Sequence, residues 1–320
     1  MSNKVETFLR KWMLAIAMTL GVVLYLLIYS VPALNGLEKG YSAVAGKGQP
    51  LLVGFMLFLQ FNVTAPSDLK LHRWHARLLI MQSLLFTVTA FICAAMPRGD
   101  GRLLVECAML CFICPTAAAC GVITSRIGGN LQQTMAYLLL SDLLATLLIP
   151  VIIPFVHPSA DIGYLPRLWM IGKKVFSILV LPCALAWIIR YTLPGVQKWL
   201  ARFTGYAFYI WGVSLVFALS LATKSLIVTH TTFWVASLIG LVSLACCLLQ
   251  FITGRRVARK YGKVEKITSG QALGQKNTGF LIWLGLNFMT PVTSVAGGLY
   301  AVWQNIVNSW ELQHYRPEGK

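Results

Sequence analysis

Charge is what this chain has least of. Asp, Glu, Lys and Arg make up 12% of its 320 residues, about half the ~25% of soluble domains, and that shortage excludes an ordinary cytosolic globule. The acidic side is thinner still: ten Asp and Glu stand against 27 Lys and Arg, a net charge of +17. An excess of that sign suits nucleic acid. Here, however, the cations stand between apolar runs, as the basic loops of a membrane protein do. The partner expected is therefore a lipid bilayer and not a nucleic acid. Catalytic sets are missing too: there is no Ser/His/Asp arrangement, no His-x-x-x-His and no phosphate-binding loop, so the chain is not read as an enzyme. His72 and His75, flanking Trp74 in a basic loop, mark a membrane interface rather than a metal site. No metal or cofactor is expected, and no loop is long enough for a separate soluble domain.

What the chain does have is hydrophobic residues, 57% of the total. The first apolar run, Trp12 to Val31, follows Lys4, Arg10 and Lys11 as in a signal peptide. It has full spanning length, and Val31-Pro32-Ala33 is not a small-x-small cleavage site, so it reads as a retained membrane helix. All eight cysteines (Cys93, Cys107, Cys111, Cys114, Cys120, Cys183, Cys246 and Cys247) lie in apolar runs. They read as small buried hydrophobes, not disulfide partners.

Hydropathy predicts ten segments, about 12–32, 51–64, 76–96, 102–125, 131–156, 166–192, 204–223, 228–253, 267–292 and 294–313. With the N-terminus in the cytoplasm, eighteen Lys and Arg fall inside and eight outside, and Lys276 alone falls in the membrane, which accounts for all 27. That bias places both termini in the cytoplasm of a bacterial inner membrane. The Arg255–Lys266 run serves as a topology-fixing cytoplasmic loop.

One stretch organises the rest: Ala272-Leu-Gly-Gln-Lys276-Asn277-Thr278-Gly279, which sets a lysine, two amides and a hydroxyl in an apolar segment. A charge at the bilayer centre costs at least ~2.5–3.5 kcal/mol, so such a residue faces protein or water and is a functional candidate. Gly274 and Gly279, with no apolar residue between them, predict a loosened helix. Irregular backbone at membrane depth survives only where it lines a cavity. The fourth segment carries a matching interruption, Cys114-Pro115 followed by Thr116-Ala-Ala118-Ala119-Cys120-Gly121. Breaks at corresponding positions of two five-segment halves point to inverted repeats. The expected fold is thus an all-α membrane protein of ten helices in two inverted five-helix repeats, residues 1–156 and 166–313, with segments 4 and 9 broken.

With these residues in view, the chain resembles the bile acid:sodium symporter family. Cys114-Pro-Thr-Ala-Ala-Ala-Cys-Gly121, then Gly129-Asn130, is similar to that family's Cys-Pro-Gly-Gly-Thr-Ala-Ser-Asn tract and following Gly-Asn. Ala272-Leu-Gly-Gln-Lys-Asn-Thr-Gly279 is similar to its Glu-Val-Gly-Met-Gln-Asn-Ser-Gly. Gln82 and the Trp303-Gln304-Asn305 tract match weaker motifs of its third and tenth helices. The resemblance implies a panel of helices 1, 2, 6 and 7 beside a core of helices 3–5 and 8–10. The broken helices would cross in the core, and a small organic anion, of bile acid or carboxylate type, would bind at the crossing. Ala118, Ala119, Cys120, Gly121, Lys276, Asn277 and Thr278 would line that site.

The departures are as informative. The positions that hold sodium in the family correspond here to Cys120, Gly121, Thr134, Leu138, Ala272 and Lys276, with Gln82 nearby. Sodium is a hard cation that needs several oxygens, and a thiol, a glycine, a leucine and an alanine supply none from their side chains. Coupling to sodium at these sites is not expected; coupling to protons, or uniport, is. Asp142, one turn beyond Thr134 and Leu138 on the same helical face, is the candidate partner for Lys276. Three roles for Lys276 stay open: a static salt bridge, a proton carrier, or a direct contact with an anionic substrate. Glu106, near Asp100 and Arg102, reads as a solvated or entrance residue. Cys107, Cys111 and Cys114 share one helical face, which keeps an arsenite or soft-metalloid exporter as an alternative. A ligand-binding membrane sensor that does not transport is the second alternative. Oligomeric state is open, and a monomer is compatible with the sequence.

Overall fold

A computed structural model describes residues 2–158 and 161–315, and every named element among them is a helix. Three long helices open the chain: α1 (Ser2–Ser30), α2 (Glu38–Val63) and α3 (Arg73–Ala95). Next come α4 (Asp100–Ile113) and the one-turn-and-more α5 (Cys120–Arg126), then α6 (Leu131–Val156). The middle of the chain forms α7 (Tyr164–Leu179), α8 (Leu181–Thr192), the short α9 (Pro194–Ala201) and α10 (Ala207–Val228). The last third forms α11 (Phe233–Ala258), α12 (Lys263–Gly274), α13 (Thr278–Phe288) and α14 (Ser294–His314).

Five helical stretches are long and apolar enough to cross a bilayer: 32–63, 73–95, 131–156, 209–228 and 233–261. The pair α7 and α8, bent by 45° at Val180, makes a sixth if counted as one span. Their outward surfaces carry large apolar side chains, such as Leu84, Val88 and Phe91 on α3 and Leu147 on α6. Water opposes such a surface and hydrocarbon accepts it. The chain is a multi-pass integral membrane protein.

Two sets of helices are visible in the packing. In one, α1 and α2 both lie on α10, and α8 lies on α2. In the other, α11 packs on α12, α14 and α4, α3 packs on α4 and α6, and α13 packs on α14. The two meet where α13 touches α2 and α10 and where α14 touches α10, and α7 packs on α6 as well as on α2 and α8. Close approach of α11 and α12 depends on glycine: a Cβ at Gly254 would lie 2.9 Å from the Cα of Gly270. Small residues of this kind let membrane helices come into contact along their backbones.

Several sequence expectations need correction. Hydropathy starts the second segment at residue 51, but α2 begins at Glu38 and runs helically through Pro50. Gly40, Gly46, Gly48 and Pro50 make that stretch read as a loop, and packing against α10 overrides it; Gly48 sits where a Cβ would meet the Phe217 ring at 3.2 Å. The seventh and eighth segments lie some residues later than expected, as α10 and α11. His75 does not lie in an open loop: it stands in the first turn of α3, buried, with its ring nitrogen 3.0 Å from the Gln133 carbonyl oxygen. Glu106 is not solvated. It is 2% exposed, 3.4 Å from Arg102 and 3.1 Å from His157. The side chains of Lys4, Arg10 and Lys11, and all of Arg316 and Lys320, which belong to the inside set of cations, lie outside the described residues.

Candidate functional site

The fourth and ninth segments are both interrupted. Between α4 and α5, Cys114 to Ala119 leaves the helical path; between α12 and α13, Gln275 to Asn277 does the same. Pro115 has no N–H to donate and Gly274 ends its helix, which accounts for the breaks locally. The amides freed by unwinding have to be bonded again inside the protein, and each break supplies the other. Ala117 N donates to Gln275 O at 2.9 Å, and Asn277 N donates to Pro115 O at 2.9 Å, an antiparallel bridge with Thr116 opposite Lys276.

The carbonyls left at the two broken helix ends are met by side chains. Gln82 of α3 donates through Nε2 to Ile113 O and Cys114 O, at 3.2 and 3.3 Å, and accepts from Tyr137 Oη at 3.0 Å. Tyr300 of α14 donates to Gly274 O at 2.8 Å, and Thr116 Oγ1 donates to Ala272 O at 2.7 Å. Gln304 Oε1 accepts from Lys276 N at 2.8 Å. Asn277 caps α13, with Oδ1 accepting from Phe280 N at 3.2 Å, and its carbonyl accepts from the Cys114 thiol at 3.1 Å.

The residues predicted to line the site therefore gather at one crossing. Cys120, Gly121, Ala272, Lys276, Asn277 and Thr278 are buried there, while Ala118 and Ala119 are half-buried. Gly121 leaves room for α6: a Cβ there would meet Leu131 Cδ1 at 2.7 Å. Thr134 and Leu138 are buried on α6, and the Thr134 hydroxyl donates to Asn130 O at 2.9 Å within its own helix start. The Cys120 thiol lies 3.7 Å from the Thr124 hydroxyl.

Lys276 and Asp142 do not pair. Both are 0% exposed, and the Lys276 Nζ and both Asp142 carboxylate oxygens lack a hydrogen-bond partner. The titratable neighbours of Lys276 are the thiols of Cys114, Cys111 and Cys120. The face of α6 that meets the crossing continues from Leu138 to Ser141, three residues on, rather than to Asp142, four residues on. Ser141 Oγ accepts from Thr116 N at 3.1 Å and lies 3.2 Å from Thr116 Oγ1. Asp142 stands about 100° further round the helix.

Sequence reasoning missed Thr116, Ser141, Tyr137 and Tyr300 as parts of this site. The signal available was a polar group at a helical position inside an apolar run, which needs a partner. On α14, the Trp303 indole bonds to Gly240 O and Ser243 Oγ, both at 3.1 Å, so it packs on α11; Asn305 bonds back to Ala301 O. All eight cysteines are free and buried, and no group of three or more His, Cys, Asp or Glu among the described residues is placed to hold a metal ion.

Two interrupted helices that cross deep inside a multi-pass helical protein are the architecture of a membrane transporter. The model of the Sodium Bile acid symporter family matches residues 49–230, and the chain belongs to that family. It is a transporter, as the members of that family are, and not an enzyme. The match takes in α3 to α10 and the first break, and stops before Lys276. No curated protein matches the chain.

Proposed function

We propose that the protein is a secondary transporter of small organic anions of bile acid or carboxylate type. It works by alternating access in a bacterial inner membrane, without sodium at the family's ion positions. The observation that carries the reading is Lys276, an unpartnered ammonium in a bridge between two broken helices. An uncompensated buried charge costs several kcal/mol, and an anion brought to it offsets that cost. Fully enclosed as it is, the ammonium becomes reachable only when the surrounding helices separate, which is what alternating access requires.

The proposed topology has ten spans in two inverted repeats, residues 1–156 and 166–313, with both termini cytoplasmic. α1, α2, α7–α8 and α10 form the panel, and α3–α6 with α11–α14 form the core. Lack of sodium coupling is supported by the side chains present. Cys120, Gly121, Leu138 and Ala272 offer no side-chain oxygen to a hard cation, which leaves the Thr134 hydroxyl alone among the ion positions. Lys276 holds the position that an ion would hold, and with Asp142 leaves two buried ionisable groups for proton coupling.

The test is uptake into proteoliposomes from a panel of bile acids, keto acids and hydroxy acids, with and without sodium, over a pH series around neutrality. Uptake of one anion class that ignores sodium and follows pH is the expected result, and Lys276→Gln stops it. Uptake that needs a sodium gradient overturns the coupling assignment.

A further inference from the structure

The turn from α11 to α12 carries five cations and one acid over residues 256–266. Gly262 makes the turn at φ +124°, a conformation that favours glycine, and Tyr261 beside it packs on the foot of α3. The Tyr261 ring meets the His72 ring edge-on at 4.6 Å between centroids. Two cations also lie over it, the Arg77 guanidinium at 5.8 Å and Lys260 Nζ at 5.2 Å from the centroid, both within the ~6 Å of a cation–π contact. Among the described residues neither cation has a carboxylate within 4 Å, and nor do Arg73 and Arg256. The acids of this end of the molecule are occupied: Asp68 accepts from Ala65 N at 2.8 Å, Glu311 pairs with Arg255, and Glu265 lies by Gly262. Like charges gathered on one ring repel each other, and an anion set against both removes that cost.

An apolar surface begins where the cations end. Arg73, Arg77, Ile80, Leu84 and Val88 follow one another at intervals of three and four, one face of α3, and all are exposed. The rise from Arg77 to Val88 is about 16 Å, the depth of one leaflet in a hydrocarbon core of ~30 Å. α11, which touches α3, repeats the pattern: Arg256 stands at the foot of exposed Ile252, Leu248 and Leu241. A soluble phosphate would meet the cations and leave these stripes unused. A phospholipid meets both.

We propose that Arg77 and Lys260, gathered on Tyr261, hold the phosphate of an anionic phospholipid, with an acyl chain along Ile80, Leu84 and Val88. The guanidinium offers its fork to the phosphate oxygens, and the ammonium adds a point charge. A zwitterionic headgroup brings a cation of its own to a cluster that is already cationic, and is disfavoured. The bound lipid ties the foot of α3 to the α11–α12 turn, from which α12 runs to Gly274 and the second break. This site lies outside the crossing and does not depend on the transport reading.

The test titrates the purified full chain in detergent with dioleoyl phosphatidylglycerol and with dioleoyl phosphatidylcholine. Native mass spectrometry counts the bound lipids, and thermal unfolding follows their effect. Phosphatidylglycerol should bind the tighter of the two and raise the unfolding temperature. Each cation near an anionic headgroup contributes about fivefold in affinity, so Arg77→Gln combined with Lys260→Gln should weaken phosphatidylglycerol about twentyfold. Without lipid the double variant should be as stable as the parent or more so, because the repulsion on Tyr261 is gone; a fall there makes the cations structural and overturns the assignment. Lys198→Gln combined with Arg202→Gln, two exposed cations on α9 and just after it, is the charge-matched control and should bind as the parent does. Equal affinity of the parent for the two lipids overturns the proposal, as does an equal loss in the control or a double variant that binds like the parent. Inorganic phosphate that stabilises the parent as far as the lipid does assigns the cations to a soluble anion, and overturns the lipid site.

Discussion

Gln82 shows how much one side chain does at the first break. Its amide meets two carbonyls at the end of α4 and takes the Tyr137 hydroxyl in return. Gln82→Leu keeps the size and strands all three groups, each at about 1–3 kcal/mol. The expected outcome is a clear drop in thermal unfolding temperature in detergent, with a smaller drop for Tyr137→Phe, which strands only the Gln82 oxygen. Equal stability of the Gln82→Leu variant and the parent would refute that role. At this scale the sequence makes the residue types legible and the partners far less so. Lys276 stands out in any apolar segment, but Asp142 qualifies as its mate only by a spacing of four residues. A spacing of three, to Ser141, shares the same helical face equally well, and that is the one the crossing uses. One-dimensional periodicity does not separate the two.

At the scale of elements, the breaks are legible because proline and glycine announce them, and the start of α2 is illegible for the same reason. The glycines and proline between residues 40 and 50 lie within the helix and make no turn; of the glycines only Gly48 marks a close approach, to the Phe217 ring, while Gly40 and Gly46 face open space. Gly254 gives a direct check. Any larger side chain collides with the α12 backbone around Ser269 and Gly270, and α11 and α12 must part. Gly254→Val should destabilise the core by about 1–3 kcal/mol, the range for overpacking, and should also free the Ser269 hydroxyl, which donates to Gly254 O at 2.8 Å. Thermal unfolding of the purified variant checks it. Gly195→Val, where an added Cβ meets nothing within 4 Å, is the control and should behave as the parent does.

For the molecule as a whole, the proposed topology rests on the charge pattern of the sequence, and the free, buried cysteines make it testable. A membrane-impermeant maleimide should leave the parent unlabelled, since all eight thiols are buried. Lys47→Cys should label in intact cells, and Arg256→Cys only after the cytoplasmic face is opened; labelling of both from one side overturns the proposed orientation. What no sequence pattern conveyed is that the two interruptions are each other's hydrogen-bond partners. That reciprocity makes the two breaks one cooperative unit. A change that restores a continuous helix at one break takes away the hydrogen-bond partners of the other, so neither can be repaired or lost alone.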